Sequence, residues 1–408
     1  MNIEIDKTTK DIVLMVRAMG TEYLRPLGLE ADRTGVAIPK DHPFYFMIAQ
    51  SGYMSQSLRS EKQPGEKSPG LSGDNSKASN TSVRTVLIAE EGSYWDRGAM
   101  VSLPGPGLGG PPVQSMGTKE QKERFFSIFK QKERPVWAAF AMTEPQAGSD
   151  VARIATRAVK DGNEWVLNGQ KMYSSNSPRA EWVVVFATVD PSLGRDGHRA
   201  FVVEANTPGF EILRVEEKMG IKAYETASFA LTDCRIPEDN LLGGHEYYLN
   251  KSNKGFGGAM RTFNATRPIV SAMGVGIARA AYDVAKQFVE DEFPKHSFNR
   301  INRIKDTLSQ MQQNIVFSRL LCLKAAWLLD MGKPNSFEAA QAKLFAPSLC
   351  LKVTESAKEV LGEAGLCQDR LLEKFARDVK AIDIVEGTQQ IQNLVVARNL
   401  IGREIIKD

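Results

Sequence analysis

Apolar positions recur at helical spacing over residues 7–53 and again over 86–91. Thr118 and Gln121 form a capping-box pair that opens a further helix toward Phe125 and Phe126. The first 135 residues therefore predict a helical region, interrupted at 55–82 by a stretch rich in Ser, Gly, Pro and Lys that has too few large apolar residues to build a core. After Ala138 the pattern changes: residues 165–167, 182–189, 200–204 and 227–231 are short β-rich runs, and Asp161-Gly162 is a hairpin-type turn signal. An antiparallel β region ending near Pro237 is expected. After Pro268 the helical period returns, with Ile269, Met273, Ile277, Val284 and Phe288 on one side, then Leu308, Met311, Ile315, Cys322, Ala326 and Leu329 on another, as in a helical bundle. Pro347 should kink the next helix, Gly362 should stop it, and a last helix should run from about Thr388 to Ile401. The chain thus reads as an α+β multidomain protein: an N-terminal helical domain over 1–135, a middle antiparallel β domain over 136–245 and a C-terminal helical bundle over 246–408.

Composition narrows the function classes. The 408 residues are 42% hydrophobic and 25% charged, which suits two or three globular cores and excludes disordered and fibrous chains. Basic residues exceed acidic ones by only 52 − 49 = 3, without a Lys/Arg block, so no nucleic-acid partner is expected. No apolar run of about 18 residues occurs, and the opening MNIEIDKTTKDIV carries acidic residues where a secretion signal has a basic start. A cytoplasmic protein without membrane insertion is expected. Cys234, Cys322, Cys350 and Cys367 are far apart and read as buried thiols, and the four histidines show no ligand spacing. Chemistry in this chain must rest on a carboxylate or a cofactor rather than a metal.

Gly105, Gly107 and Gly110 match the dinucleotide spacing G-x-G-x-x-G, but Pro111 and Pro112 follow directly, so the segment reads as a Gly/Pro loop. Three other segments carry more. In residues 138–150 an apolar strand leads into Thr143-Glu144-Pro145-Gln146-Ala147-Gly148-Ser149-Asp150, a backbone able to approach a flat ligand and its phosphates, or a surface loop capped by Asp150. Residues 168–175 supply Tyr173 with hydroxyl neighbours, suited to an aromatic ring system or to an ordinary hairpin with a core tyrosine. In residues 383–392 Glu386 lies among Ile384 and Val385 just before a helix, where it is either a helix cap or a desolvated general base.

Together these segments resemble the acyl-CoA dehydrogenase family, over nearly the whole chain. The resemblance rests on T-E-P-x-x-G-S-D, N-G-x-K and E-G-T-x-x-I-Q in this order. It extends to Pro112 with Gly117-Thr118-x-Glu120-Gln121, to Lys218-Met219-Gly220, to Pro237-x-x-Asn240 and to Thr266-Arg267-Pro268. It implies a helical domain, a β domain and a four-helix bundle, with FAD as cofactor. By resemblance Phe140, Met142 and Thr143 line the flavin ring, Gly148 and Ser149 meet the phosphate region, Tyr173 and Ser175 sit at the ring, and Thr388 and Gln390 touch the cofactor. Glu386 would be the base that removes the α-proton of an acyl-CoA, the β-hydrogen leaving as hydride to give a trans-2-enoyl-CoA, with Arg267 supporting the site. Some members place the base immediately before that arginine; here the position is Thr266.

The chain also departs from the family pattern. Tyr173 and Ser175 stand where tryptophan and threonine are usual, the arginine-x-x-Phe-Gly motif is not recognisable over 291–298, and Glu363 replaces a glycine in Leu361-Gly362-Glu363-Ala364-Gly365. Residues 244–253 are longer than usual, like 55–82. The resemblance implies an acyl-CoA substrate and an electron-transferring flavoprotein as acceptor; separately, apolar stripes such as Leu308, Met311 and Ile315 need burial against other helices, so a homodimer or homotetramer is expected. Its alternatives are a non-catalytic or partner-dependent subunit of a hetero-oligomeric acyl-CoA dehydrogenase, and an acyl-CoA oxidase that passes electrons to oxygen.

Overall fold

The computed structural model describes residues 1, 3–56, 80–244, 254–292 and 298–402. Most of the 55–82 excursion, of the 244–253 segment and of the 291–298 segment lies outside them.

The N-terminal helices are α1 (Lys7–Met19), which passes through one π-helical turn (Gly20–Leu24) into α2 (Arg25–Thr34), then α3 (Pro43–Gln50), α4 (Tyr53–Gln56), α5 (Thr81–Val101), α6 (Gly110–Met116) and α7 (Lys119–Ser127). The capping box forms as expected: Gln121 N donates to Thr118 Oγ1 at 3.2 Å and Thr118 N to Gln121 Oε1 at 3.0 Å. The Gly/Pro loop is shorter than expected, because Gly110 already begins α6 with proline in its first turn, where a missing N–H costs nothing. Within α5 the backbone of Asp96 is extended (φ −162°, ψ 118°), and its carboxylate accepts from Ala99 N at 2.8 Å. Asp96 therefore caps a fresh helical turn that begins at Arg97.

The strands are β1 (Ala138–Ala141), β2 (Arg157–Asp161), β3 (Glu164–Ser175), β4 (Trp182–Thr188), β5 (His198–Glu204), β6 (Phe210–Val215) and β7 (Thr226–Pro237). They form one sheet in the order β1-β4-β2-β3-β7-β6, with β5 also paired to β4. The sheet is mixed rather than antiparallel: β1 runs parallel to β4, Ala138 opposite Trp182, because the long connection between them carries the β2–β3 hairpin. Every residue of β4 is buried, Val184 and Phe186 packing on one face and Val183 and Val185 on the other, which marks it as a central strand.

The C-terminal helices are α8 (Lys254–Glu292), α9 (Phe298–Asp330), α10 (Ser336–Leu361), α11 (Leu372–Ile384) and α12 (Gln389–Ile401). Pro268 does not open the bundle but lies inside α8. Its missing N–H would orphan the Asn264 carbonyl four residues back, and Asn335 Nδ2 donates to that oxygen instead at 3.1 Å. Pro347 is likewise carried within α10, which ends as expected at Gly362 (φ 63°). Val83 and Val86 of α5 share the core of α8 to α11, with Ile277, Met311 and Cys350, so the bundle core reaches into the N-terminal helices. Gly276 permits that contact, since a Cβ there would lie 2.1 Å from the Glu90 carbonyl on α5.

Two further expectations change. Met311 and Ile315 are buried in the chain's own core and Leu308 packs against it, so these residues are not an assembly face; among the described side chains of α9, Val316, Phe317 and Leu320 are large apolar residues left exposed. Cys367 is exposed, whereas the other three cysteines are buried. Among the described residues no helix is long and apolar enough to cross a membrane, and no His/Cys/Asp/Glu cluster could hold a metal ion.

Buried charge joins the layers. Lys374 on α11 donates to Asp96 on α5 at 2.6 Å and also bonds Asp378, which accepts from Ile221 N at 2.5 Å. Under the sheet, Lys171 Nζ donates to Glu144 Oε1 at 2.7 Å and to the Met142 carbonyl at 3.1 Å. Glu144 also accepts from Ala155 N at 2.6 Å, Thr156 N at 3.0 Å and Gln146 Nε2 at 2.7 Å. Burial pulls the Lys171 ammonium down to about 8. Burial would raise Glu144, but Lys171 and the hydrogen bonds outweigh it and hold the carboxyl below its usual range, so the pair is ionised at neutral pH. Lys171→Met leaves a solitary buried carboxylate, and a loss of about 3–5 kcal/mol in denaturant unfolding is expected. Adding Glu144→Gln should restore part of it; an unchanged unfolding midpoint in the single variant would refute the brace.

Candidate active site

A cavity of about 2040 Å³ runs between α5, the loops of the sheet, α8 and the α11–α12 turn. A pocket for one drug-sized ligand is about 300–1,000 Å³, so this space suits a larger ligand or two together. Phe140, Met142, Thr143, Gly148, Ser149, Tyr173, Ser175, Arg267, Glu386 and Thr388 all line it. Gln390 does not; it is exposed on the first turn of α12.

The first wall is built by the Lys171–Glu144 brace. Met172 N donates to the Thr143 carbonyl at 2.9 Å and Ser174 Oγ to the Phe140 carbonyl at 2.9 Å, which sets β3 beside the segment after β1. A register shift between Lys171 and Ser174 throws Tyr173 into a left-handed backbone (φ 57°), with its side chain 60% exposed. Tyr173 is therefore no core tyrosine. Asp150 makes no capping bond, and Gly148 has nothing within 4 Å of where its Cβ would stand. An exposed aromatic beside the cavity, an open glycine and the neighbouring Ser149 hydroxyl fit a flat ring joined to phosphates, which is the chemistry of FAD.

The second wall carries Glu386, another non-glycine residue with positive φ (58°). It is not the helix cap: Thr388 caps α12 by accepting from Ile391 N. Its Oε2 accepts from Thr266 Oγ1 at 2.7 Å, and its Oε1 is buried without a partner. Arg267 acts through the backbone, its Nε donating to the Glu386 carbonyl at 3.2 Å. Lys343, wholly buried on α10, donates to the carbonyls of Asp383 and Gly387, each at 3.1 Å. Gly387 (φ 101°) leaves room for Gln392, whose Nε2 lies 2.4 Å from where a Cβ would stand.

Burial raises the Glu386 pKa, while the Thr266 hydrogen bond and the charges of Arg267, Lys343 and Arg97 pull it back. Burial also brings Lys343 down to about 8. The turn thus presents to the cavity a carboxylate with one oxygen engaged and one buried without a partner. Sequence reasoning missed Lys343, Gln392, Arg97 and the bond from Thr266. Lys343 had a visible signal, a lone lysine among Ala339, Ala340, Ala342, Leu344 and Ala346, all of them buried.

The acyl-CoA dehydrogenase middle domain matches residues 139–234, and the acyl-CoA dehydrogenase C-terminal domain matches 253–401. The acryloyl-CoA reductase (NADH) of Anaerotignum propionicum is 40% identical over 71% of this chain and 72% of its own. The cyclohexane-1-carbonyl-CoA dehydrogenase of Syntrophus aciditrophicus is 31% identical over 97% of this chain and 98% of its own. The structure of butyryl-CoA dehydrogenase from Megasphaera elsdenii superposes with a TM-score of 0.83 at 29% identity, covering 98% of this chain and all of the other. With these matches across both its β and its helical parts, the chain belongs to the acyl-CoA dehydrogenase family of FAD-dependent oxidoreductases acting on CH–CH bonds.

Proposed function

We propose that Glu386 is the base in the α,β-dehydrogenation of an acyl-CoA thioester to a trans-2-enoyl-CoA. The observation that carries this reading is its divided carboxyl: Oε2 is held by Thr266 while Oε1 lies buried in the cavity wall with no partner. Bound FAD supplies the acceptor for the β-hydride. Phe140, Met142, Thr143, Tyr173, Ser175 and Thr388 would hold its ring, and Gly148 with Ser149 its phosphates; Gln390, outside the cavity, drops from this set. Glu386 Oε1 takes the α-proton, and burial makes it a stronger base than a solvated glutamate. The Glu386 backbone N–H is the donor assigned to the thioester oxygen, where charge develops as the proton leaves. Arg267 and Lys343 are positioning residues, since both grip carbonyls of the turn rather than the reacting carboxyl.

The same groups serve the reverse reaction, with a protonated Glu386 returning its proton to the α-carbon. The 40% identity to an acryloyl-CoA reductase favours keeping that direction in view. An electron-transferring flavoprotein is the acceptor in the forward reading. Exposed Val316, Phe317 and Leu320 support an assembly of copies, a dimer or tetramer.

Glu386→Gln should retain bound flavin, yet its reduction by acyl-CoA in the absence of air should fall at least about 10²- to 10⁴-fold. Reduction at the wild-type rate would remove Glu386 from the mechanism. The base works only when ionised, so kcat/KM should fall as pH drops through the raised Glu386 pKa, an acid limb lying above the ordinary carboxylate value of 4.5. Lys343→Met removes a cation that favours the ionised form, so the limb should move to still higher pH. A lower rate with the limb unmoved would mean that Lys343 matters only for folding.

A further inference from the structure

Asn335 stands at the N-cap of α10, where an asparagine side chain ordinarily accepts from an amide of its own helix. Here it makes no such bond. The residue is only 5% exposed, and its side-chain amide reaches two other helices: Nδ2 donates to the Ala325 carbonyl on α9 and to the Asn264 carbonyl on α8, each at 3.1 Å. A favoured cap is diverted to another task.

The Asn264 carbonyl needs that donor for a local reason. Pro268, four residues on, has no N–H to offer it, and a buried carbonyl left open is costly. The Asn264 side chain has its own role, since its Oδ1 accepts from Arg267 Nη1 at 3.0 Å while Arg267 Nε donates to the Glu386 carbonyl at 3.2 Å. The Arg267 guanidinium also lies 5.7 Å from the centre of the Phe263 ring. Phe263, Asn264, Arg267 and Glu386 all line the cavity, whereas Asn335 does not. Asn335 can therefore act on the chemistry only through these neighbours.

Arg267 reaches Glu386 in two ways. It grips the carbonyl of that residue, and its charge pulls the carboxyl pKa down against burial. Both depend on where the guanidinium sits. Thr266, Lys343 and Arg97 act on the same carboxyl, and none of them is hydrogen-bonded to Asn335.

Building on Glu386 as the base, we propose that Asn335 is a positioning residue for the dehydrogenation. By supplying the donor that Pro268 lacks, it fixes Asn264, and through Asn264 it holds the Arg267 guanidinium against the Glu386 turn. Pro268 and Asn335 form one device: the proline opens a carbonyl of α8, and the asparagine closes it from the start of α10. Three helices are thereby tied together at the residue that orients Arg267.

The test follows flavin bleaching by butyryl-, hexanoyl- and octanoyl-CoA without air, across pH, in flavin-loaded wild type, Asn335→Ala, Pro268→Ala and the double variant. Flavin content and the unfolding midpoint are measured on each. Asn335→Ala should lower the limiting rate about three- to tenfold, the range of one hydrogen bond, with the half-saturating substrate concentration close to wild type. Its acid limb should move to higher pH, because a displaced Arg267 favours the ionised Glu386 less. In the double variant residue 268 again has an N–H for the Asn264 carbonyl, so rate and limb should return to wild-type values; Pro268→Ala alone should behave as wild type.

A wild-type rate and limb in Asn335→Ala overturns the assignment. So does a loss that follows the unfolding midpoint with the limb unmoved, or one that the double variant does not recover. If Asn335→Ala does not fold, the double variant decides: a folded protein with the wild-type limb upholds the device, and any other result overturns it. Bleaching of the wild type with no effect of Asn335→Ala sinks this proposal and leaves the dehydrogenation standing; no bleaching of the wild type by any of the thioesters overturns both.

Discussion

The buried pair of Lys171 and Glu144 joins the two segments from which one wall of the cavity is made. Thr143 precedes Glu144 and Tyr173 follows Lys171 by two residues, so a lost pair would release both lining residues at once. The carboxylate is anchored by Ala155 and Thr156 amides as well, which ties the loop to the start of β2. Such a pair adds little net stability over an apolar contact, but once both charges are buried neither can be removed alone without a large loss. Its contribution is therefore to specify one arrangement of the wall.

The same logic recurs at the other seams. Asp96, Lys374 and Asp378 connect α5, α11 and the segment at Ile221, while Glu90 takes Arg279 and Arg319 from two helices of the bundle. In these clusters the charges are matched. Around the cavity the pattern reverses: Glu386 Oε1 and two nitrogens of Arg97 are buried and unmatched. Matched buried charge holds the scaffold; unmatched buried atoms also occur away from the cavity, at Arg25 and Asp383, but those of Glu386 and Arg97 belong to residues that line it and are open to a ligand.

Backbone strain follows this map in part: Tyr173, Asn176, Ile221 and Glu386 have positive φ and line the cavity, whereas Asp233 and Leu371 have positive φ and do not. Tyr173 and Glu386 both adopt left-handed conformations that non-glycine residues avoid, at about 1–3 kcal/mol each, and both line the cavity. The flanking contacts keep them there. Met172 and Ser174 bond across to the β1 segment on either side of Tyr173, and Arg267 and Lys343 hold the carbonyls around Glu386.

Much of this was legible along the chain, because helix caps, strand alternation and loop motifs are local. Thr118 with Gln121, the buried run of β4, Gly362 at the end of α10 and Thr388 before α12 each act within a few residues. The TEPQAGSD and EGTQQIQ segments could be read as ligand loops for the same reason, and of the site residues expected in them Thr143, Gly148, Ser149, Glu386 and Thr388 reach one cavity while Gln390 does not. Only the tertiary structure decided the rest. The parallel pairing of β1 with β4, the passage of α8 through Pro268 with help from Asn335, and the inward turn of Met311 and Ile315 all depend on what packs against an element. Periodicity states which face is apolar and not what covers it. Thr266 meets Glu386 across 120 residues of sequence, and Lys343 meets the same turn across 40 and 44. The open donors of Arg97 are further removed still from the sequence, since a missing partner is a property of everything around a side chain and of no local pattern.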